Sequence, residues 1–320
     1  MSKSPETYGD VTAEYLAIRN GAGLVAASHD LVSVRGPDAV SFLQSIISQD
    51  LDTLAEGGVG RSLLLGPEGK IRAVLWVMKG QDEVILVADG GRGESLAAEL
   101  GRYRFRVDAA IGPFGGEVLG VWGPSAGAVL EQMKLPNPTG WERGGERLVA
   151  RLPLGGLARY LVVGADWQEL ERAGARPVGS LAADAVRVEA GEPVMGRDLD
   201  EKTIPQESGL VPETVSFTKG CYLGQELVAR IDSRGHVNRV LRGIVIRTNV
   251  LPPEGAGLFA EGTSVGRLTS VSESLTLRAP VGLALVRREV EPDSQVEIRW
   301  EEGSAPATVH FLPLSDFTES

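Results

Sequence analysis

At Arg239 the character of the chain changes. Residues 241–247, 265–271, 281–286, 296–300 and 307–311 are short β-rich runs, and turns bearing Gly or Pro separate them. Short strands at this spacing, punctuated by turn residues, predict a small all-β unit at the C-terminal side.

Upstream the pattern mixes helices and strands. Residues 31–35 read as a strand that stops at Gly36-Pro37. Asp38 stands at an N-cap position before Ala39, Phe42, Leu43 and Ile46, which have helical spacing. Residues 63–65 and 71–78 read as a hairpin turned by Pro67-Glu-Gly-Lys70. A strand at 84–88 and a helix from about 93 to 103 come after it. Residues 112–157, rich in Gly and Pro, read as strands and turns. A strand at 161–163 and helices at 167–173 and 181–189 come next, and the proline-bearing stretch 191–218 reads as extended and irregular. The class is α+β, with residues 1–238 set apart from an all-β unit at 239–320.

The 320 residues give room for two or three domains, and 42% hydrophobic with 23% charged residues is ordinary for a globular protein. No apolar run approaches the roughly 18 residues of a membrane span, and the polar start carries no secretory signal, so a cytoplasmic protein without a membrane partner is expected. One cysteine excludes an internal disulfide framework and a cluster held by four thiolates of one chain. His29, His236 and His310 show no metal-ligand spacing, and no metal centre is expected. A net charge of −11 speaks against nucleic-acid binding through a general basic field.

Gly21-Ala-Gly-Leu-Val-Ala26 matches a dinucleotide fingerprint. That motif has meaning only after a strand and at the start of a helix. Here a helical pattern precedes it and a strand comes after it, so the match is accidental.

Three segments carry candidate chemistry. In Lys219-Gly220-Cys221-Tyr222-Leu-Gly224-Gln225-Glu226, continuing to Arg230, Leu223, Leu227 and Ile231 recur every four residues. A helix starting near Leu223 or Gly224 puts Cys221 just ahead of its N-terminus, where free N–H groups favour a thiolate, and Lys219 adds to that if it points the same way. The alternative is a small buried hydrophobe. In residues 198–207, which end in Pro205-Gln-Glu207, a carboxylate can line a cleft and accept paired N–H donors. A solvated acidic loop is the other reading. In Tyr103-Arg-Phe-Arg-Val-Asp108, two arginines alternate with apolar residues. If this is a strand, both share one face, either to receive an anionic tail or to cover a polar sheet face.

In this order the segments resemble the glycine-cleavage T-protein family. Residues 14–51, with Ser28-His29, Val34-Arg-Gly-Pro-Asp-Ala and Asp50-Leu51, are similar to its opening, and Arg187-Val-Glu-Ala-Gly191 with Asp198-Leu-Asp200 and Pro205-Gln-Glu207 to its middle. The resemblance implies a three-lobed fold of two α+β, ferredoxin-like lobes and a C-terminal β-barrel. It implies a central pocket for tetrahydrofolate or a related reduced folate, with Glu207 on the pterin ring and Arg187 and Tyr103 assisting. T-proteins carry Gly-Gly-x-x-Asp-Asp at a strand start; here Gly69-Lys-Ile-Arg-Ala-Val74 puts Ala73 and Val74 where the acids stand, and neither can move a proton.

The Lys-Gly-Cys-Tyr-x-Gly-Gln-Glu run resembles the YgfZ-type branch of folate-binding proteins and its mitochondrial iron–sulfur relatives. That branch implies an accessory protein serving iron–sulfur clients or assembly factors, with Cys221 as the functional thiol, and places cysteine and folate in one central cavity. The alternative is a folate-dependent aminomethyltransferase or demethylase of the T-protein type.

Overall fold

The computed structural model describes residues 5–235 and 237–315; His236 lies outside them. The chain opens with helix α1 (Val11–Asn20) and strand β1 (Gly23–Ala26), which belong to the second lobe rather than the first. Asp10 caps α1 by accepting from Ala13 N. Helix therefore precedes the glycines of the fingerprint-like match and strand succeeds them, the reverse of a dinucleotide turn.

The first lobe holds β2 (His29–Arg35), α2 (Ala39–Gln44), β3 (Val59–Leu65), β4 (Ile71–Lys79), β5 (Glu83–Asp89), α3 (Gly93–Tyr103) and β6 (Ala110–Pro113). Its sheet is antiparallel in the order β3-β4-β5-β2-β6. One face takes Val34, Leu75 and Leu86 against Phe42 and Leu43 of α2 and Leu100 of α3. Asp38 precedes α2 but does not cap it; its carboxylate accepts from Asp108 N and ties the two ends of the lobe together.

The second lobe holds β7 (Val118–Trp122), α4 (Ala126–Gln132), β8 (Trp141–Gly144), β9 (Arg147–Arg151), β10 (Arg159–Val163), α5 (Trp167–Arg172), β11 (Arg176–Val178) and α6 (Ser180–Ala190). The sheet order is β11-β1-β7-β10-β9-β8, so β1 from the start of the chain is an inner strand between β7 and β11. The two α+β lobes are thus interleaved in sequence. α4 lies within the stretch read as strands and turns.

Residues 191–235 cross between lobes and include α7 (Pro205–Ser208), α8 (Val211–Thr214) and α9 (Gln225–Arg234). The extended reading of 191–218 holds except for α7 and α8, two single-turn helices, each with proline in its first turn, where its missing N–H is not needed. The C-terminal unit is a closed barrel of β12 (Arg239–Ile246), β15 (Ala279–Arg287), β14 (Thr263–Ser274), β13 (Gly257–Ala260), β16 (Gln295–Trp300) and β17 (Gly303–His310), in that order around the wall. Closure leaves no open sheet edge. The expected α+β architecture with a small β-barrel is the one observed.

Residues 103–108, where a strand would have put two arginines on one face, form no strand. Tyr103 ends α3, Arg104 N bonds back to Gly101 O, and Arg106 takes a left-handed φ of 55°. The two arginines share no face: Arg104 donates to Ala109 O and Arg106 lies over the Phe105 ring. No helix among the described residues is long and apolar enough to cross a membrane.

Candidate functional site

All three lobes meet around a cavity of about 590 Å³. The first lobe contributes Arg61 from β3 and Trp76 from β4, the second the loop after β9, and the barrel Arg242 and the segment at Phe311. Gly191 and Glu192, just past α6, and Ser208 of α7 close the remaining wall. A cavity of this size suits a small-molecule ligand.

Its polar wall includes Arg61, Glu192, Ser208, Glu213 and Arg242, and Arg159 stands behind it, bonded to Glu192. Arg159, 4% exposed, donates through both terminal nitrogens to the Glu192 carboxylate at 3.0 and 3.1 Å, and through Nε to Leu152 O at 2.7 Å. Its guanidinium lies 5.8 Å from the Trp76 ring centroid and 5.5 Å from that of Trp122. Arg61 lies over Trp76 at 5.3 Å and donates to Glu213 at 3.1 Å, while its buried Nε has no partner among the described residues. Trp76 therefore carries two guanidiniums at its ring, an arrangement that favours the π face electrostatically. Burial opposes ionisation of Glu192, but the guanidiniums of Arg159 and Arg61 outweigh it and hold the carboxyl below the ordinary range. Burial, with Arg159 nearby, pushes the His29 imidazole down to about 4, so it is neutral near pH 7. His29 lines a smaller cavity of about 260 Å³ that shares Glu192 with the larger one.

β4 brings no acid to the site. Ala73 points into the first-lobe core, and Val74 packs against the cluster of Leu210 and Tyr222. Trp76 is the residue of this strand that reaches the cavity.

The residues singled out in the sequence fall in different places. Glu207 sits in α7 next to Ser208, 7% exposed; it accepts from Ile204 N at 3.3 Å and from Arg239 Nε at 3.4 Å. It borders the cavity without lining it. Arg187 is committed elsewhere: it donates to Asp184, to Glu192 O, to Asp198 and to Ser270. The Arg187 and Asp198 motifs thus meet in one buried pair at 3.0 Å that locks α6 to the crossing segment. Tyr103 packs against the first-lobe core and is not on the cavity wall.

The segment 219–226 is built as a plug against the first lobe. Lys219 is 9% exposed, and its ammonium donates to Gln44 O, Ile47 O and Gln49 O at 2.7–2.8 Å. It also lies 5.3 Å from the Tyr222 ring centroid. Burial brings its pKa down to about 8 against the pull of Asp50 and Asp52. The ammonium expected to help a thiolate at Cys221 is therefore engaged with the loop after α2. Gln225, the first residue of α9, turns back to accept from Tyr222 N. Gly224 has φ +77°, and a Cβ there would stand 2.6 Å from Gly66 O and 2.9 Å from Leu65 Cβ. A Cβ on Gly69, φ +71°, would stand 2.6 Å from Leu227 Cβ. The β3–β4 turn and the cysteine segment, about 150 residues apart in sequence, therefore interlock through two glycines. Cys221 itself is exposed, three residues ahead of the helix cap, and Gly220, Glu226 and Arg230 are exposed with it. It does not line the inter-lobe cavity: Tyr222 faces inward and Cys221 faces solvent.

Sequence reading gave no site role to Arg61, Trp76, Arg159 or Glu192, and it named His29 only within the family-like opening. The only available signal was a charged residue inside an apolar strand, as with Arg61 in Val-Gly-Arg-Ser-Leu-Leu-Leu65.

Two family models match. The GCVT N-terminal domain covers residues 2–138, and the glycine cleavage T-protein C-terminal barrel domain covers residues 239–316. A curated aminomethyltransferase from Rubrobacter xylanophilus is 30% identical over 97% of this chain and 87% of its own length. The chain belongs to the glycine cleavage T-protein family. A second aminomethyltransferase, from Halothermothrix orenii, is 29% identical over 88% of this chain and 85% of its own. Among solved structures, the glycine cleavage system aminomethyltransferase T of Bartonella henselae superposes with a TM-score of 0.90 at 25% identity, covering 98% of this chain and 92% of that one. The T-protein fold thus extends across all three lobes.

Proposed function

We propose that the protein binds a reduced folate in the cavity between the three lobes. The observation that carries this reading is the Trp76 face flanked by Arg61, whose buried Nε is unpartnered among the described residues. A flat heterocycle can stack on the indole, and a carbonyl or ring nitrogen can take the free N–H. Family membership and the resemblance of the Glu207 motif support it further. Titration with tetrahydrofolate tests it: saturable one-to-one binding is expected, and no binding would refute it. The resemblance gives Glu207 the pterin ring, so Glu207→Ala should weaken binding; equal affinity would remove that role.

Once folate is bound, the activity best supported by the names of the relatives is aminomethyl transfer, and kinship favours it. Two observations favour a second reading, an accessory role toward iron–sulfur proteins of the YgfZ type. Where transfer would use an acid on β4, this chain offers Ala73 and Val74, and it presents Cys221 to solvent on a segment held rigid at Lys219, Tyr222 and Gly224. One thiol cannot hold a cluster alone, so its partner would be a client or assembly protein. Formation of methylenetetrahydrofolate from an aminomethyl donor at about 1 per second or faster supports transfer. Loss of an iron–sulfur enzyme's activity in cells carrying Cys221→Ser, with folate binding intact, supports the accessory role.

A further inference from the structure

Three neighbouring barrel strands carry arginines to one place. On β12, β15 and β14 the core-facing residues include Ile244, Val286 and Leu268. Side chains alternate along a strand, so Arg239, Arg287 and Arg267 stand on the outer face. Arg239 and Arg287 are direct cross-strand partners. All three are exposed and line one cleft of about 650 Å³, between the barrel and residues 196–200.

Most other charges in this cleft are already committed. Arg197 pairs with Asp184 and Glu254. Asp198 is taken by Arg187, Thr269, Ser270 and Val194 N. Asp200 accepts from Thr203 and Lys202 N and feels Arg239, which also meets Glu207 at 3.4 Å. Arg267 and Arg287 have no ionic or side-chain hydrogen-bonding partner among the described residues. Like charges directly opposite each other on a sheet destabilise it. Two uncompensated guanidiniums, one of them opposite a third arginine, stand out on a chain of net charge −11.

We propose that this cleft is a second ligand site that takes a small anion bearing at least two negative charges, of the phosphate-ester or polycarboxylate class. No residue lines both this cleft and the inter-lobe cavity, and the two are linked only where Arg239 meets Glu207 beside that cavity. Guanidinium forks match both oxyanion types through paired N–H···O bonds.

The test is calorimetric titration of the full chain at low salt with pyrophosphate and, separately, with citrate. The parent is compared with the double variant Arg267→Gln/Arg287→Gln. Saturable one-to-one binding is expected for at least one anion, and which one binds assigns the class. The double variant should bind at least about tenfold more weakly. Without anion, its unfolding midpoint should equal or exceed the parent's, because a like-charge pair has been relieved. Absence of saturable binding in the parent would overturn the proposal. So would equal affinity in the variant, which would mark an adventitious ion only, and so would a lowered unfolding midpoint, which would make the arginines structural.

Discussion

The interlock of Gly224 with the β3–β4 turn supports a quantitative prediction. In Gly224→Ala the new Cβ meets Gly66 O at 2.6 Å, Leu65 Cβ at 2.9 Å and Gly69 Cα at 3.1 Å. Two of these contacts are backbone, which cannot rotate away. A left-handed φ adds about 1–2 kcal/mol for a non-glycine residue, and forced overpacking adds about 1–3 kcal/mol. Together they predict a destabilisation of about 2–5 kcal/mol. Gly220 is the internal control, because a Cβ there meets nothing within 4 Å. Gly220→Ala should stay within about 0.5 kcal/mol of the parent. Urea unfolding monitored by tryptophan fluorescence reads the global change, and limited proteolysis within α9 reads local undocking. If Gly224→Ala matches Gly220→Ala in both assays, the interlock does not hold the segment.

Lys219→Met removes three charge-assisted bonds and leaves the carbonyls of Gln44, Ile47 and Gln49 short of a donor. It should lower stability by about 2–3 kcal/mol in the same unfolding assay. Glu192→Gln leaves the Arg159 guanidinium buried without a counter-charge, and a loss of about 3–5 kcal/mol is expected. His29 titrates near 6.5 when unfolded and near 4 when folded, so the unfolded chain binds the extra proton between those values. The resulting stability is present above 6.5 and is lost as pH falls toward 4, and His29→Gln should flatten that part of the stability–pH curve.

Legibility in the sequence tracked locality. The hairpin around Gly69, the helix Gly93–Tyr103 and the barrel strands were readable because period and turn chemistry agree within a few residues. The helix Ala126–Gln132 was hidden by its brevity among glycines and prolines. The stretch 103–108 alternates like a strand, yet a left-handed Arg106 and the tie between Asp38 and Asp108 N bend it out of any sheet. The cysteine segment was visible as a motif, but its docking partner, the Gly66–Gly69 turn, was not, because the contact joins residues far apart in the chain. The cavity was least legible of all. Arg61, Trp76, Arg159 and Glu192 come from two lobes and a crossing segment, and only the tertiary fold sets two guanidiniums on one indole.

The central claim is that a reduced folate stacks on Trp76 and is gripped by Arg61. The most direct measurement is a tetrahydrofolate titration of the parent, Trp76→Leu, Arg61→Met and Cys221→Ser, each checked for folding by circular dichroism. The parent and Cys221→Ser should bind alike, and the Trp76 and Arg61 variants should each bind at least about tenfold more weakly. Unchanged affinity in both of those variants would contradict the account.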